Sequence, residues 1–249
     1  MPQPAIIECH GVTKHFYLYA HRTNSLQEFF VRSVRGRPIH IREAHFYLHD
    51  FDLQIQAGES IAFIGANGSG KSTALRLLAG IYPPTMGTIV RRGRVVAVIE
   101  LGGAFHSELT GAENVRLYAA ALGLTRAEIA ERYDEIVAFA EIDDFLATPA
   151  KYYSSGMTAR LAFSVAVCCK PDVLLLDEVL SVGDERFRQR CIERISRFQS
   201  EGGTLVFVSH DLELVTQMCS RAVWISNGKV RLVGQVNEVV EAYSSDAHR

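Results

Sequence analysis

One stretch decides the fold: Gly65-Ala66-Asn67-Gly68-Ser69-Gly70-Lys71-Ser72, which follows the pattern GxxxxGKS of a phosphate-binding loop. The apolar run Ser60–Ile64 precedes it as a strand, and Thr73–Ala79 can begin a helix. Glycines let the backbone curl until its N–H groups face phosphate oxygens, and the helix start adds the positive end of its dipole. Lys71 is expected to reach the β- and γ-phosphates, and the Ser72 hydroxyl is expected to bind Mg²⁺. These eight residues and Thr73 are therefore predicted to hold a nucleotide.

Strand-like and helical patterns alternate around this loop. The predicted strands are Ile6–Val12, Ser60–Gly65, Val95–Ile99, Val173–Asp177, Thr204–Ser209 and Ala222–Ile225. Two capping boxes, Thr110-Gly111-Ala112-Glu113 and Thr125-Arg126-Ala127-Glu128, open predicted helices, and Asn227-Gly228 predicts a hairpin. The alternation predicts an α/β fold with a largely parallel sheet. Residues 112–158 have helical patterns without strands, which indicates an inserted helical subdomain.

Composition excludes several classes of protein. The chain has 249 residues, of which 48% are hydrophobic and 22% charged, so it is not a disordered, collagen-like or coiled-coil protein. The net charge of −2 gives no basic field for nucleic acid, so none is expected as a partner. Five cysteines without a CxxC pair predict neither disulfides nor a zinc site. The N-terminus lacks the pattern of a signal peptide, and no apolar run is long enough to cross a bilayer.

Two further strand ends carry polar side chains suited to phosphate chemistry. Val173–Asp177 is an apolar strand that ends in Asp177 and is followed by Glu178. An Asp at the end of a buried strand beside a phosphate loop suits Mg²⁺, and Glu178 would then act on the attacking water as a general base. His210 follows the next predicted strand and is placed to hydrogen-bond a γ-phosphate.

A third motif gives these residues a family resemblance. Tyr153-Ser154-Ser155-Gly156-Met157 looks like the signature LSGGQ of the ATP-binding-cassette (ABC) ATPases, although Ser155 replaces its first Gly and Met157 its Gln. The resemblance implies a P-loop NTPase of ABC type, with a largely parallel core sheet, an antiparallel β part and a helical subdomain. It also implies ATP and Mg²⁺ as cofactors. In a homodimer of this type, Ser154, Ser155 and Gly156 would contact the γ-phosphate bound by the opposite subunit.

Other stretches resemble cassette elements in the expected order. Leu180–Asp184 resembles the D-loop, which touches the partner subunit. Phe16 stands where the family has the aromatic residue that stacks on adenine, and Tyr17 and Tyr19 remain alternatives. Glu100 stands where the family usually has the glutamine of the Q-loop, and it joins Ser72 and Asp177 as a candidate Mg²⁺ ligand.

Glu100–Asn114 resembles the stretch ELGxGFHPELTGxEN of polysaccharide-export ATPases. This branch implies a peripheral subunit on the cytoplasmic face of the inner membrane that powers export of a lipid-linked O-antigen, capsule or teichoic-acid polymer. Its partner would be an integral-membrane subunit, which handles the glycan. Residues 1–249 are expected to form one ABC ATPase domain without a C-terminal carbohydrate-binding domain. The alternative is a soluble ABC ATPase acting on ribosomes or DNA, a type that tends to carry two cassettes or long coiled-coil arms.

An insert at about residues 18–43 carries an amphipathic pattern. Ser25-Leu26-Gln27-Glu28 is a capping box, and Leu26, Phe29, Phe30 and Val34 fall on one helix face. A short helix is not stable alone, so this face must be buried. Either the chain's own core or the membrane subunit would cover it, and the exporter resemblance favours the membrane subunit.

Overall fold

The structure is a computed structural model that describes residues 4–19, 42–99, 105–178 and 184–247. In chain order its strands and helices are β1 (Ile7–Tyr19), β2 (Arg42–Ile55), β3 (Ser60–Ile64), α1 (Lys71–Leu78), β4 (Met86–Arg91), β5 (Val95–Val98), α2 (Gly111–Ala121), α3 (Arg126–Ala140), α4 (Ser155–Cys168), β6 (Val173–Asp177), α5 (Glu185–Ser200), β7 (Thr204–Val208), α6 (Leu212–Met218), β8 (Arg221–Ser226), β9 (Lys229–Gln235) and α7 (Val236–Ala247).

The main sheet has six strands in the order β5-β6-β7-β3-β8-β9. Its first five strands are parallel, and β9 returns antiparallel to β8 through the turn at Asn227 and Gly228. The predicted α/β fold, its parallel core and this hairpin are therefore confirmed. Because β3, β6 and β7 run in the same direction, the residues that follow them all lie at one edge of the sheet.

A second sheet of three antiparallel strands has the order β2-β1-β4 and packs on one face of the main sheet. Side chains alternate across a strand, so Ile61 and Phe63 of β3 join the core under this sheet and α1. Ala62 and Ile64 point the other way, into the core formed with helices α2 to α6. Both faces of β3 are buried, which explains its unbroken apolar sequence.

The antiparallel sheet differs from the predicted strands in two ways. The sequence patterns predicted no strand at β2 or β4, although Phe51, Leu53 and Ile55 of β2 are buried between exposed polar residues, which is the alternation of a half-buried strand. Strand β4 begins with exposed residues and carries no such alternation over its length. They also ended the first strand at Val12, whereas β1 continues to Tyr19 because it stays paired with β2, through register shifts between Cys9 and His15.

The two predicted capping boxes are confirmed at the starts of α2 and α3. Thr110 accepts from the backbone N of Glu113 at 3.3 Å, and Glu113 accepts from the backbone N of Thr110 at 2.9 Å. Thr125 and Glu128 repeat the arrangement at 3.3 and 2.8 Å. Helices α2 and α3 pack against α4, and residues 111–168 contain helices, two 3₁₀ turns and no strand.

Three sequence predictions lie outside the described residues. They are the amphipathic helix with Leu26, Phe29, Phe30 and Val34, the candidate ligand Glu100, and the D-loop-like residues 180–183. Within the described ranges, no helix is long and apolar enough to cross a membrane. All five cysteines are buried, and burial raises the pKa of each thiol to about 12, so they pack as small apolar side chains.

Candidate nucleotide-binding site

The phosphate loop connects β3 to α1 and depends on glycine at two close approaches. Gly65 has φ 145° and Gly70 has φ 112°, values that other residues rarely adopt. A Cβ on Gly65 would lie 2.1 Å from the carbonyl oxygen of Ile225, and one on Gly70 would lie 2.4 Å from that of Tyr47. The loop therefore keeps its curl only with glycine at both positions.

Lys71, the first residue of α1, places its ammonium group inside this curl. Its Nζ donates to the carbonyl oxygens of Gly65 at 2.8 Å and Ala66 at 2.9 Å. Burial lowers the pKa of Lys71, while the nearby carboxylates of Glu178 and Asp177 raise it. The result is a fixed positive charge at the position where the loop would hold phosphates.

A chain of backbone hydrogen bonds holds the loop from outside. Gly228, in the β8–β9 turn, donates to the carbonyl oxygen of Ser69 at 2.9 Å. His49 on β2 donates to the carbonyl oxygen of Gly228 at 2.7 Å. The loop is thus fixed by segments that are distant in sequence.

Ser72 and Asp177 form the donor set that a magnesium ion would need. Burial raises the pKa of Asp177, and hydrogen bonding with the Ser72 side chain lowers that pKa by less. The charge of Glu178 raises it as well. Hydroxyl and carboxylate oxygens are preferred Mg²⁺ ligands, so these residues fit the ion, and the remaining candidate Glu100 is outside the described residues.

Glu178 and His210 meet at the ends of β6 and β7. Glu178 has φ 51°, and its backbone N donates to the carbonyl oxygen of Val208 at 2.9 Å. Its carboxylate Oε1 lies 3.2 Å from Nδ1 of His210. The side chains are 46% and 80% exposed, so both are accessible to a substrate. The two predicted catalytic residues are therefore in contact with each other.

A cavity of about 430 Å³ joins most of these groups. Its lining consists of Tyr47, Asn67, Gly68, Gly70, Lys71, Ser72, Thr73, Ile99, Asp177 and Glu178. Eight of these ten residues were predicted from the sequence; Tyr47 and Ile99 were not. Tyr47 was missed because β2 was not predicted as a strand, and only the pairing of β2 brings it to the loop.

Phe16 does not line that cavity. Its ring packs edge to face against Tyr47 and Tyr82, with 5.2 Å between ring centroids in each pair. Tyr17 and Tyr19 belong to the same strand, β1. The structure thus puts Phe16 next to an aromatic residue of the cavity wall.

The signature-like turn caps helix α4 on another side of the molecule. The Ser154 hydroxyl accepts from the backbone N of Met157 at 3.1 Å, so Ser154 is the N-cap. Arg160 on α4 donates to Asp184 at 2.7 Å, which joins this helix to the residue that caps α5.

Ser154, Ser155 and Gly156 line a second cavity of about 470 Å³, together with Glu141, Ile142, Phe145, Met157, Arg160 and Asp184. The two cavities share no lining residue. The three signature residues are therefore not brought to the phosphate loop of the same chain.

Comparison with known proteins identifies the family to which this chain and its site belong. Residues 48–181 match the ABC transporter family. The fold resembles an ATP-binding subunit of an ABC transporter, with a TM-score of 0.74 at 22% identity over 96% of this chain and 93% of the other. It also resembles a dimeric ATP-binding cassette in a post-hydrolysis state with ADP and Pi, with a TM-score of 0.73 at 21% identity over 92% and 98% of the two chains. The chain belongs to the ABC transporter family, and the predicted ATPase of ABC type is confirmed.

Relatives that are similar in sequence indicate one branch of this family. The chain is 41% identical over 238 residues to the O-antigen export system ATP-binding protein RfbB of Klebsiella pneumoniae, covering 96% of this chain and 97% of that protein. It is 44% identical over 238 residues to the teichoic acids export ATP-binding protein TagH of Levilactobacillus brevis, covering 95% of this chain and 64% of that protein. The resemblance to the polysaccharide-export branch is thereby confirmed.

Proposed function

We propose that this chain is the ATP-hydrolysing subunit of an exporter that moves a lipid-linked polysaccharide of O-antigen, capsule or teichoic-acid type across the cytoplasmic membrane. The observation that carries the proposal is the 41% identity to an O-antigen export ATP-binding protein across nearly the full length of both chains. The phosphate loop, the acidic pair and the signature turn supply the parts that such a subunit needs.

The site suggests how the chain's own residues divide the work on ATP. The loop N–H groups and the Lys71 ammonium bind the β- and γ-phosphates, and Ser72 with Asp177 would hold Mg²⁺. When bound, the ion neutralises charge on the β- and γ-oxygens. Glu178 orients the attacking water and accepts its proton. His210, within hydrogen-bond distance of Glu178, holds that carboxylate toward the γ-phosphate.

The second cavity supports a homodimer in which each subunit completes the site of the other. The backbone N–H groups at the start of α4 and the Ser154 hydroxyl form a place for an anion, yet no residue of the first cavity reaches them. Two copies facing each other would bring the signature turn of one to the γ-phosphate held by the other. We propose that ATP binding closes this dimer.

The proposal also includes a membrane partner at the cytoplasmic face, because the relatives are named as ATP-binding proteins of export systems. A groove of about 660 Å³ between α1, β5 and α2, lined in part by Tyr82, Ala97 and Leu122, offers an apolar place for its cytoplasmic segment. Ile81 at this groove is 55% exposed. The net charge of −2 and the export names of the relatives disfavour the alternative ATPase acting on ribosomes or DNA.

Replacement of the chromosomal gene tests the function. Lys71→Ala should abolish the surface polysaccharide and leave its lipid-linked precursor inside the cell. The reason is that Lys71 is the one lysine among the described residues that line the nucleotide cavity. Lys229→Ala, at an exposed lysine on β9, is the matched control and should export normally. Normal surface polysaccharide in the Lys71→Ala strain, with a defect in translation or DNA maintenance, would favour the alternative.

A further inference from the structure

Arg160 on α4 carries a charge that the chemistry described above does not use. It is the one charged residue in the sequence of α4, Ser155–Cys168, and its neighbours Ala159 and Leu161 are buried. The Arg160 side chain itself is only 18% exposed. A charge that is largely withdrawn from water is costly unless groups of opposite charge surround it. The partners of Arg160 therefore indicate its role.

Two carboxylates and one aromatic ring surround the guanidinium group of Arg160. Its Nη2 donates to Oδ2 of Asp184 at 2.7 Å, and its Nη1 donates to Oε2 of Glu141 at 3.5 Å. Its Cζ lies 4.8 Å from the centroid of the Phe187 ring. Glu141 is the C-cap of α3 and Asp184 is the N-cap of α5. Arg160 thus joins the ends of two helices to the helix that begins with the signature turn.

These charges line the second cavity, which contains the signature turn and is termed the signature cavity below. Glu141, Arg160 and Asp184 are the charged residues among its described lining, so two carboxylates meet one cation there. Glu141 has two further arginine partners, Arg186 and Arg190. Among the described residues, Asp184 forms a salt bridge with Arg160 alone. Without Arg160, the Asp184 carboxylate would repel a γ-phosphate that enters the cavity.

We infer that Arg160 is a positioning residue of the signature cavity: it neutralises Glu141 and Asp184, and the cavity can then accept the γ-phosphate of the partner subunit. The inference rests on the proposed homodimer and adds a residue to its shared site. Arg160 acts through the two carboxylates and needs no contact with the nucleotide. A salt bridge that only held the helix ends together would act differently, because it would need the carboxylates as much as the arginine.

ATP-driven dimerisation of the full chain tests this role by light scattering, in the Glu178→Gln background that is expected to bind ATP without turning it over. Arg160→Met keeps an apolar stem but leaves Asp184 unpaired, so it should weaken the ATP-bound dimer by about 10-fold or more. Glu141→Gln with Asp184→Asn breaks the same salt bridges but removes the carboxylates, and Asn still caps α5. This double variant should dimerise at least as tightly as the parent.

Arg197→Met on α5 is the matched control. It breaks the salt bridge with Glu201, and Arg197 lines neither the nucleotide cavity nor the signature cavity. Its dimerisation should equal that of the parent. The ATP affinity of the monomer should be the same in all the variants, because none of the changed residues lines the nucleotide cavity.

Three results would overturn the inference. If Arg160→Met dimerises like the parent, the arginine is not needed at the shared site. If the double variant loses the dimer, the salt bridges hold helix ends and the role is structural; this result decides the question even where Arg160→Met fails to fold in a thermal melt. If the parent itself does not dimerise with ATP, the proposed homodimer falls together with this inference.

Discussion

Glu178 combines an unusual backbone conformation with the predicted catalytic carboxylate. A left-handed φ at a residue other than glycine costs about 1 kcal/mol or more, and persists only where the surroundings hold it. Here the hydrogen bond from its N–H to Val208 and the contact with His210 hold it. With this conformation, Glu178 lines the nucleotide cavity.

Glu178→Gln should preserve ATP binding and remove most turnover. Lys71, Ser72 and Asp177 still hold the phosphates and the ion, but an amide cannot accept a proton from water, which costs about 10²- to 10⁴-fold in rate. ATPase activity of the subunit assembled with its membrane partner, together with ATP affinity, measures both effects. Glu193→Gln on α5 is a matched control. Near wild-type turnover in Glu178→Gln would show that another group acts as the base.

The predictability of a site residue depended on whether its motif is contiguous in sequence. Lys71, Ser72 and Asp177 could be predicted because each follows a buried strand within a short pattern. Tyr47 could not, because its approach to the loop depends on the pairing of β2 with β1. Phe16 is assigned through family resemblance alone and stays a prediction; its ring packs edge to face against Tyr47, which lines the cavity.

At the scale of single elements, the two capping boxes differ because the glutamate of only one of them also forms a salt bridge with an arginine among the described residues. Glu128 accepts from Thr125 and also pairs with Arg94 at 2.9 Å, so it ties α3 to the segment before β5. Its hydrogen bonds with Thr125 and Arg94 lower the pKa of Glu128 to about 2. Glu113 has the hydrogen bonds with Thr110, and they lower its pKa. Among the described residues, no arginine forms a salt bridge with Glu113 as Arg94 does with Glu128.

Glu128→Gln should destabilise the chain more than Glu113→Gln at neutral pH. The folded-state pKa of Glu128 lies below its ordinary value of 4.5, so its stabilisation is complete above about pH 4.5 and is lost as the pH falls toward 2. The stability difference between wild type and Glu128→Gln should therefore shrink as the pH falls below 5. Denaturant unfolding at several pH values measures it, and a pH-independent difference would contradict the ion-pair account.

The insert helix, which lies outside the described residues, stays a prediction from sequence. Phe29→Asp with Phe30→Asp should leave the chain folded and able to bind ATP but should abolish export, if the apolar face docks on the membrane subunit. A thermal melt, ATP binding and a surface-polysaccharide assay separate the two possibilities. A large fall in melting temperature would mean that the face belongs to the core.

Strands and helices could be predicted where neighbouring residues in the sequence carry a recognisable pattern. The parallel strands could be predicted because burial on both faces gives each an unbroken apolar run. The capped helices could be predicted because a capping box is a pattern of four consecutive residues. Strand β4 could not, since it carries no such pattern and depends on its pairing with β1. Strand β2 does carry a local signal in the alternation of Phe51, Leu53 and Ile55 with polar residues.

For the whole molecule, the two cavities share no lining residue, and the proposed homodimer would make each of them half of a different nucleotide site. Ser154→Arg should leave ATP affinity of the monomer within about twofold but should abolish ATP-driven dimerisation. The side chain would block the approach of the partner's γ-phosphate. Light scattering with and without ATP, in the Glu178→Gln background that retains ATP, gives the readout.

Ser154→Asp separates this effect from damage to α4. Asp caps a helix as well as Ser does, so the variant should melt like wild type. Its carboxylate would nevertheless repel a γ-phosphate, so dimerisation should be lost in this variant too. Retention of the ATP-driven dimer in both variants would mean that the signature turn does not face the partner's nucleotide.

The hydrogen bond from Gly228 to Ser69 also joins the phosphate loop to a turn that the ribosome makes much later. The phosphate loop emerges from the ribosome first, and β7, β8 and the β8–β9 turn that hold it in place come later in the chain. A growing chain therefore cannot form every hydrogen bond of the finished loop until the residues through Gly228 have been made. Until then, the carbonyl oxygen of Ser69 lacks the partner that it has in the finished fold.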